Sequence, residues 1–314
     1  MKGVLRLLLI GAGACVLLIA IRPIFAEEGI VFYFPAPFAP AQARILVGGD
    51  MMFDRSIRTT TDEKGGDYIF SCIDPILSDA DLVVANLEGP ITPQPSKSVG
   101  SSVGGEGNFT FTFPVETAVL LYRHGVRMVN LGNNHILNFD FDGLRSTEGE
   151  LTKAGVQYFG DPVSQAVATT SINRIDLAFI NYNEFGLGSS AARASTTLAQ
   201  IRAARSAGEL PVVYTHWGIE YQPADRDQID LAHKFVDAGA SIVIGSHPHI
   251  VQEHEVYKGK NIYYSLGNFI FDQYWNDAVR TGLLLDITFD KSGVKGVKEV
   301  SVELERDRTT CPKQ

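Results

Sequence analysis

The chain has 314 residues, and 45% of them are hydrophobic, which is enough to bury the core of one large domain or of two small ones. Its net charge of −9 and its isoelectric point of about 5.3 argue against binding to nucleic acid. Phosphate backbones are bound by clusters of Lys and Arg, and this sequence has no block of basic residues.

The first 26 residues have the order of a secretory signal. Lys2 and Arg6 precede an uncharged apolar run at 7–21, and residues 24–26 resemble a small-residue cleavage site. The run is shorter than the roughly 20 residues that a membrane-spanning helix needs. Ile24 is larger than the usual residue at its place, so an uncleaved N-terminal anchor stands beside a cleaved signal peptide as an alternative. Both alternatives place the rest of the chain outside the cytoplasm.

A linker, one large domain and a short tail follow this segment. Residues 27–43 are rich in Pro and Ala and indicate a linker, 44–306 form the predicted domain, and 307–314 form a polar tail. Short apolar runs rich in β-branched residues indicate buried strands, and helical patterns lie between many of them. The runs are 45–47, 82–85, 128–131, 177–180, 212–214 and 242–244, and the helical patterns include 115–124, 142–154, 198–207 and 227–238.

Alternating strands and helices predict an α/β domain with a largely parallel sheet. Near its end, residues 283–289 and 297–304 alternate polar and apolar side chains, which favours an antiparallel hairpin packed on one face. Residues 93–107 are rich in Ser, Gly and Pro and have no period. A loop of this length inside a compact domain is typical of a functional lid or of a disordered segment.

Two cysteines, Cys72 and Cys311, remain after the predicted signal. They could pair in an oxidising compartment, or they could stay as separate thiols. The polar character of residues 307–314 favours separate thiols. No Cys-x-x-Cys or Cys/His spacing indicates a metal role for either cysteine.

Side chains that can bind metal follow five of the predicted strands. Ligands of open α/β sheets bind outside the carboxyl ends of the strands. Carboxylates, imidazoles and amide oxygens together are the ligand set of Mn, Fe or Zn rather than of Ca or Mg alone. The residues concerned are Asp50, Glu88, Asn134, His135, His216, Glu220, His247 and His249.

Each of these residues also has a purely structural interpretation. Asp50 could be a turn residue or a helix N-cap, His216 could be a hydrogen-bonded core histidine, and Glu220 could be a loop charge. The pair His247 and His249 is harder to explain in this way, because a rigid His-Pro-His segment brings two imidazoles near one point. Matching chemistry at five strand ends therefore favours a metal site.

Six short motifs occur in order between about residues 45 and 272. They are GDMM at 49–52, ANLEGP at 85–90, NNH at 133–135, HWGIEY at 216–221, GSHPH at 245–249 and YSLGNF at 264–269. On these motifs the sequence resembles the CapA family of capsule-synthesis proteins. That family is linked to poly-γ-glutamate capsules and is related to the calcineurin-like metallophosphoesterases.

The resemblance implies a four-layer αββα sandwich with a two-metal site, and one or two divalent metal ions are expected there. His135 resembles the histidine that protonates the leaving oxygen or steadies the attacked phosphoryl group. The implied ligands are Asp50 and His249 at one metal position, Asn134, His216 and His247 at the other, and Glu88 as the carboxylate that bridges the two.

The first motif departs from the superfamily pattern. That pattern is Asp-x-His, and Met52 stands here in place of the histidine. A thioether is a poor ligand for a hard or borderline dication. The metal position near Asp50 and His249 is therefore expected to be the weaker one.

These observations predict an exported metal-dependent hydrolase that acts on a capsule or cell-envelope polymer, through attack on a phosphoester or an amide. His135 and Glu220 are expected to move protons, and Arg55, Asn86 and Asn268 are expected to contact the substrate. The alternative is a non-catalytic binding or assembly subunit of a membrane polymer-synthase and export complex. A phosphatase for small esters is disfavoured, because the sequence has no Gly-rich or Arg-rich phosphate cradle.

Overall fold

The computed structural model describes residues 25–26, 29–30, 41–163 and 167–313. The chain divides into two units, residues 1–40 and 41–314. In the first unit, β1 (Phe25–Ala26) pairs with β2 (Gly29–Ile30) in antiparallel fashion. The rest of the predicted signal or anchor, and most of the linker, lie outside the described residues. Over the described ranges, no helix is long and apolar enough to cross a membrane.

The second unit contains eight helices, one 3-10 turn and fourteen strands over its described residues. The helices are α1 (Arg55–Lys64), α2 (Asp67–Phe70), α3 (Asp74–Leu77), α4 (Thr117–Arg123), α5 (Asp140–Ala154), α6 (Ser190–Ser206), α7 (Arg226–Ala238) and α8 (Asp277–Arg280), and the 3-10 turn covers Glu106–Phe109. The strands are β3 (Ala43–Met51), β4 (Leu82–Leu87), β5 (Val126–Asn130), β6 (Gln157–Phe159), β7 (Val167–Ile172), β8 (Ile175–Asn183), β9 (Leu210–His216), β10 (Ile242–Ser246), β11 (His254–Tyr257), β12 (Lys260–Tyr263), β13 (Asn268–Ile270), β14 (Thr281–Asp290), β15 (Gly293–Leu304) and β16 (Thr310–Pro312).

The strands form two sheets. The first has the order β16-β15-β14-β3-β4-β5-β6, with β13 also paired to β3, and the second has the order β11-β12-β10-β9-β8-β7. Strands β3 to β6 run parallel, and so do β8, β9, β10 and β12. The predicted hairpin is confirmed as the antiparallel pair β14 and β15.

Alternating side chains of the strands enter different hydrophobic cores. In β3, Ile45 lies in the core between the two sheets, whereas Leu46 lies in the core between the first sheet and helices α1–α5. In β8, Leu177 joins the core between the sheets, and Ala178 joins a third core beneath α6 and α7. Because side chains of a strand alternate between its faces, three cores separate four layers. The predicted αββα sandwich is confirmed.

Helix α1 was not predicted from the sequence. Of its ten residues only Ile57 is buried, so the segment has hardly any apolar period to detect. Helix α6 begins at Ser190, eight residues before the predicted pattern. The side chain of Ser189 accepts a hydrogen bond from the backbone of Ala192 and caps that first turn.

The C-terminal segment belongs to the first sheet and is not a separate polar tail. Strand β16 pairs with β15, and the buried Thr310 donates a hydrogen bond to the carbonyl of Phe269 at 2.6 Å. Cys311 forms a disulfide with Cys72, and their Cα atoms are 5.0 Å apart. The prediction of separate thiols was wrong, because an edge strand is held by backbone hydrogen bonds and does not need apolar side chains.

Candidate metal centre

The predicted metal ligands lie at the carboxyl ends of strands from both sheets. Asp50 is the penultimate residue of β3, Glu88 follows β4 directly, and His216 is the last residue of β9. His247 and His249 follow β10. Parallel strands of one sheet end at the same edge, and the two sheets face each other across the central core. Strand ends of both sheets therefore supply side chains to one place.

Local backbone conformations hold these residues in position. A β-carbon at Gly49 would lie 1.9 Å from the carbonyl oxygen of Gly267, so glycine alone allows this close approach beside Asp50. His247, with φ of 100°, and His249, with φ of 57°, are both left-handed. Such conformations cost on the order of 1–3 kcal/mol each and are concentrated at functional sites.

One group of candidate ligands contains Glu88, His216 and His247. A ligand atom of each lies within 4.8 Å of a ligand atom of the other two, and all three residues are buried. Asn134 joins this group, because its Oδ1 lies 2.9 Å from Nε2 of His216. The structure thus brings together the four side chains that were expected to converge on one point.

A second group contains Asp50, Glu88 and His249. Its ligand atoms also lie within 4.8 Å of one another. Nε2 of His249 is 3.6 Å from Oε1 of Glu88, and its Nδ1 is 3.5 Å from Oδ2 of Asp50. Glu88 therefore belongs to both groups and occupies the place of a bridging carboxylate.

Several buried acceptors of the centre lack a protein donor. Within the described part of the chain, neither carboxylate oxygen of Glu88 has a hydrogen-bond partner, nor does Nδ1 of His247. Buried polar atoms without partners are costly and rare in native proteins. A divalent cation would satisfy them, and carboxylate, imidazole and amide oxygen suit Mn, Fe or Zn. The residues present therefore fit a metal ion.

Neighbouring side chains orient the rings of two of these histidines. Asn268 Nδ2 donates to Gln273 Oε1 at 3.0 Å, so its Oδ1 accepts from Nδ1 of His249 at 2.9 Å, and Nε2 of this ring keeps its lone pair. Nδ1 of His216 lies 2.9 Å from Oγ of Ser246, and its Nε2 lies 2.9 Å from Oδ1 of Asn134. In both rings Nε2 is turned toward Glu88, at 3.6 Å from its Oε1 for His249 and 4.0 Å for His216.

His135 is held in the same way. Asn138 Nδ2 donates to the carbonyl of Phe109, so its Oδ1 accepts from Nδ1 of His135 at 2.9 Å. Nε2 of His135 lies 3.9 Å from Oε1 of Glu88. Neither Asn138 nor Ser246 was predicted from the sequence. Ser246 lies within the GSHPH motif and could have been suspected, whereas the sequence around Asn138 carries no signal.

Asn86 is fully buried and is not placed to contact a substrate. Its Nδ2 donates to Oδ1 of Asp50 at 2.7 Å, and its Oδ1 accepts from Asn130 at 2.9 Å and from Asn133 at 3.1 Å. Asn268 is equally buried, and its amide is used by His249 and its neighbours. Both asparagines position ligands, so the structure replaces their predicted role as substrate contacts.

Burial and neighbouring groups set the protonation of the centre. Burial and the charge of Asp50 raise the pKa of Glu88 well above its usual range. Burial alone would raise the pKa of Asp50, but His249, His216 and the backbone amide of His247 together hold it below its usual range. Burial lowers the pKa of His216 well below its usual value, which keeps the ring neutral and its lone pair available.

Met52 lies in the core beneath helices α1–α5 and not at the centre. Its sulfur accepts a hydrogen bond from the backbone nitrogen of Asp54 at 2.9 Å. The carboxylate of Asp54 is also occupied elsewhere, by Ser96 Oγ at 2.7 Å, Ser98 Oγ at 2.6 Å and the backbone of Thr112 at 2.7 Å. Neither residue therefore supplies the ligand that the superfamily pattern would place here.

Arg55 and Glu220 lie at the periphery of the centre. The guanidinium of Arg55 pairs with Asp272 at 2.5 Å and lies over the rings of Phe111 and Phe271. Glu220 is exposed, and its charge contributes to the raised pKa of Glu88. Their predicted roles, in substrate contact and in proton movement, remain predictions.

An αββα sandwich with two carboxylate–histidine groups at its strand ends is the architecture of metallophosphoesterase-like proteins. The sequence profile of the family described as bacterial capsule synthesis protein PGA_cap matches residues 44–273. The chain belongs to this family, and the resemblance that the six motifs indicated is confirmed.

Curated relatives agree with this assignment. The PGA biosynthesis protein CapA of Bacillus subtilis is 31% identical over an alignment of 282 residues that covers 84% of this chain and 72% of the relative. The capsule biosynthesis protein CapA of Bacillus anthracis is 31% identical over 75% of this chain and 61% of the relative. A probable polyglutamine synthesis accessory protein of Mycobacterium tuberculosis is 30% identical over 45% of this chain and 44% of the relative.

Proposed function

We propose that this protein is an exported, metal-dependent hydrolase that acts on a polymer or a phosphoester of the cell envelope during capsule or poly-γ-glutamate biosynthesis. The observation that carries the proposal is the buried carboxylate of Glu88, shared by two ligand groups and without a hydrogen-bond partner among the described residues. Family membership and the printed names of the two CapA relatives support the biosynthetic context.

The side chains of the two groups would hold one or two divalent ions of Mn, Fe or Zn. Such an ion supplies Lewis acidity to a hydrolytic site. Asn268 keeps the Nε2 lone pair of His249 directed at the centre, and Ser246 orients the ring of His216. Asn86 holds the carboxylate of Asp50, so these ligands are ordered before any ion binds.

His135 would move a proton at its Nε2 atom. Its Nδ1 already donates to Asn138, so Nε2 is the free acceptor on the side of Glu88. Burial lowers the pKa of His135 to about 4, so the ring is neutral near pH 7 and accepts a proton before it donates one. Glu220, on the solvent side, would exchange that proton with water.

We also propose that the domain lies outside the cytoplasm, secreted or held at the membrane by an uncleaved N-terminal segment. Lys2, Arg6 and the apolar run that follows support export, and the disulfide between Cys72 and Cys311 is typical of an oxidising compartment. Mass spectrometry of the native N-terminus would distinguish a cleaved signal from an anchor. A fusion reporter that is active only in the cytoplasm would contradict export.

A non-catalytic binding or assembly subunit of a membrane polymer-synthase complex is the second candidate. It is favoured by the burial of Met52 in the core, which leaves one ligand position of the superfamily pattern unfilled. The relative from Mycobacterium tuberculosis is itself described as an accessory protein. This candidate predicts binding of the polymer without turnover.

The two candidates are separated by metal analysis of the purified protein, followed by hydrolysis assays on a phosphodiester and on γ-glutamyl polymer. Turnover that requires metal and is lost in Glu88→Gln supports the hydrolase. The variant must keep the wild-type melting behaviour without metal for this comparison to hold. A wild-type protein that binds metal fully and hydrolyses neither probe would favour the assembly subunit.

A further inference from the structure

A cleft opens beside the metal centre, and no role has been assigned to it. Its volume is about 370 Å³. One wall belongs to the long Ser- and Gly-rich loop, and Arg55, Asp272 and the exposed Trp275 also line the cleft. We call it the Arg55 cleft; its polar lining is Arg55, Ser56, Thr59, Ser98, Ser101, Asn108 and Asp272.

Arg55 is held in place by the protein, but among the described residues not every hydrogen-bond donor of its guanidinium has an acceptor. Its Nη2 lies 2.5 Å from Oδ1 of Asp272, and the side chain is only 14% exposed. Within the described ranges, however, Nε of Arg55 has no hydrogen-bond acceptor, so the ion pair with Asp272 does not use every donor of the guanidinium. The other oxygen of Asp272 is used by the backbone and hydroxyl of Ser56. Buried donors without acceptors mark a place where a ligand can supply them.

The same aromatic rings connect Arg55 to the metal centre. The guanidinium carbon lies 5.1 Å from the ring centre of Phe111 and 5.4 Å from that of Phe271. Phe111 packs at 4.3 Å on the ring of His135, and Phe271 packs at 4.8 Å on the ring of His249. A single aromatic ring therefore separates the guanidinium from a histidine of the centre. A short extended oligomer is long enough to span this separation.

The loop wall and Trp275 are both fixed relative to the centre. The buried carboxylate of Asp54 accepts hydrogen bonds from Ser96 and Ser98 and so anchors the loop wall. Trp275 packs at 5.5 Å on Tyr221, whose ring lies 6.1 Å from that of His249. The cleft is thus built before a ligand arrives, which lowers the entropic cost of binding.

We propose that the Arg55 cleft binds an oxyanion of the substrate, a carboxylate or a phosphate on the unit next to the bond that lies at the metal centre. This inference rests on the proposed function. The planar guanidinium matches both anions, and the face of Trp275 covers the apolar part of the same unit. The cleft holds the substrate in register and takes no part in bond cleavage.

Binding to the metal-free full-length protein tests the proposal without turnover. The probes are a γ-glutamyl pentamer, its fully methyl-esterified form and bis(4-nitrophenyl) phosphate, with affinity followed by calorimetry. The variants are Arg55→Gln, Arg55→Lys and Trp275→Ala. Arg202→Gln, on an exposed position of α6, removes the same charge on the opposite layer and serves as the control.

We expect Arg55→Gln to weaken binding of the pentamer by about tenfold or more, because a charged hydrogen bond is lost. Arg55→Lys should recover only part of this, since it restores the charge without the planar fork. Trp275→Ala should weaken binding as well, and its exposed position keeps it a folded variant. The esterified pentamer should bind the wild type weakly, and Arg202→Gln should match the wild type.

Two results would overturn the proposal. The first is that both Arg55→Gln and Trp275→Ala bind the pentamer with the affinity of the wild type. The second is that the esterified pentamer binds the wild type as tightly as the free acid does, and that Arg55→Gln leaves the affinity for the phosphodiester unchanged. Loss of the phosphodiester alone in Arg55→Gln would identify phosphate as the oxyanion. Turnover is measured separately with metal. A wild type without turnover would contradict the proposed hydrolase but not the proposal that the cleft binds an oxyanion.

Discussion

At Glu88 a single buried carboxylate serves two groups of ligands. Both of its oxygens lack hydrogen-bond partners within the described residues, whereas Asp50 is bonded by Asn86 and by the backbone of His247. This difference between two carboxylates follows from their neighbours and not from residue type. It makes Glu88 the position where a metal ion contributes most, because an ionised carboxylate buried without hydrogen bonds is costly.

The two metal positions should differ in affinity. One metal position has three expected ligands besides Glu88, namely Asn134, His216 and His247. The other has only two, Asp50 and His249. Calorimetric titration of the metal-free wild type should therefore show one tight ion per chain and a second only at high concentration. Two equally tight ions would contradict this expectation.

Met52→His provides no simple rescue of the weaker position. The side chain at this position points into an apolar core, where its sulfur meets the backbone of Asp54. An imidazole there should lower the free energy of unfolding and leave the weak metal affinity unchanged. Denaturant unfolding and the same calorimetric titration measure both effects, and a tighter second ion would show that the ring reaches the centre.

Asn268 should act on metal affinity through His249. Asn268→Ala removes the acceptor that holds Nδ1 of the ring, and loss of such a partner typically lowers metal affinity about 10–100-fold. Asn261→Ala is the matched control, because Asn261 bonds His254 in the same manner outside the centre. Equal metal affinities in the two variants would refute the positioning role of Asn268.

At the scale of elements, the C-terminal strand β16 is held by more than its few backbone hydrogen bonds to β15. It pairs with β15 over three residue pairs and is bonded through Cys311 to Cys72, 239 residues earlier in the chain. A crosslink over so long a loop restricts the unfolded chain strongly. The disulfide and the buried Thr310 together therefore keep a polar strand at the edge of the sheet.

Removing the disulfide should lower the free energy of unfolding by about 2–5 kcal/mol. The variant is Cys72→Ser combined with Cys311→Ser, and denaturant unfolding measures the difference. A reductant should lower the midpoint of the wild type and leave that of the double variant unchanged. An identical midpoint in the oxidised wild type and the double variant would show that β16 is held by the ladder alone.

Helix α5 carries a carboxyl group outside the centre whose pKa is raised. Burial and then the neighbouring Asp161 raise the pKa of Glu148 to about 7, from 4.5. Between these values the folded chain holds a proton that the unfolded chain has lost, so stability should fall as pH rises from about 4.5 to about 7. Melting temperatures across this range should show a shallower fall in Glu148→Gln. Asp161→Asn should reduce the fall in part, and an unchanged profile in both variants would contradict the assignment.

At the scale of the whole molecule, the candidate metal centre joins the two sheets. Glu88 and Asp50 come from the first sheet, and His216 and His247 follow strands of the second. An ion bound between them would therefore stabilise the packing of one sheet on the other. Burial of the apolar core between the sheets, which includes Ile45 and Leu177, supports that packing without metal.

Chelation should lower the melting temperature without unfolding the domain. An ion present at 100 times its dissociation constant contributes about 2.7 kcal/mol, or a shift of roughly 5–10 °C for a domain of this size. Thermal denaturation with and without a chelator measures the shift in the wild type. Glu88→Gln should show little or no shift, and an equal shift in both proteins would place the stabilising ion elsewhere.

The sequence by itself determined the α/β class and most of the candidate ligands, and the resemblance to a known family added the four-layer sandwich. Strand runs, helical periods and the polar residues at strand ends are local patterns, and parallel strands bring Asp50 and Glu88 to one edge of the first sheet. The packing of the second sheet on the first brings His216 to the same place. Only the tertiary structure decided the direction of Met52, the positioning role of Asn86 and the pairing of Cys72 with Cys311. These features depend on contacts between residues far apart in the chain, which no local period records. A buried asparagine that orients a ligand and an exposed one that contacts a substrate have the same sequence signature, and burial alone separates them.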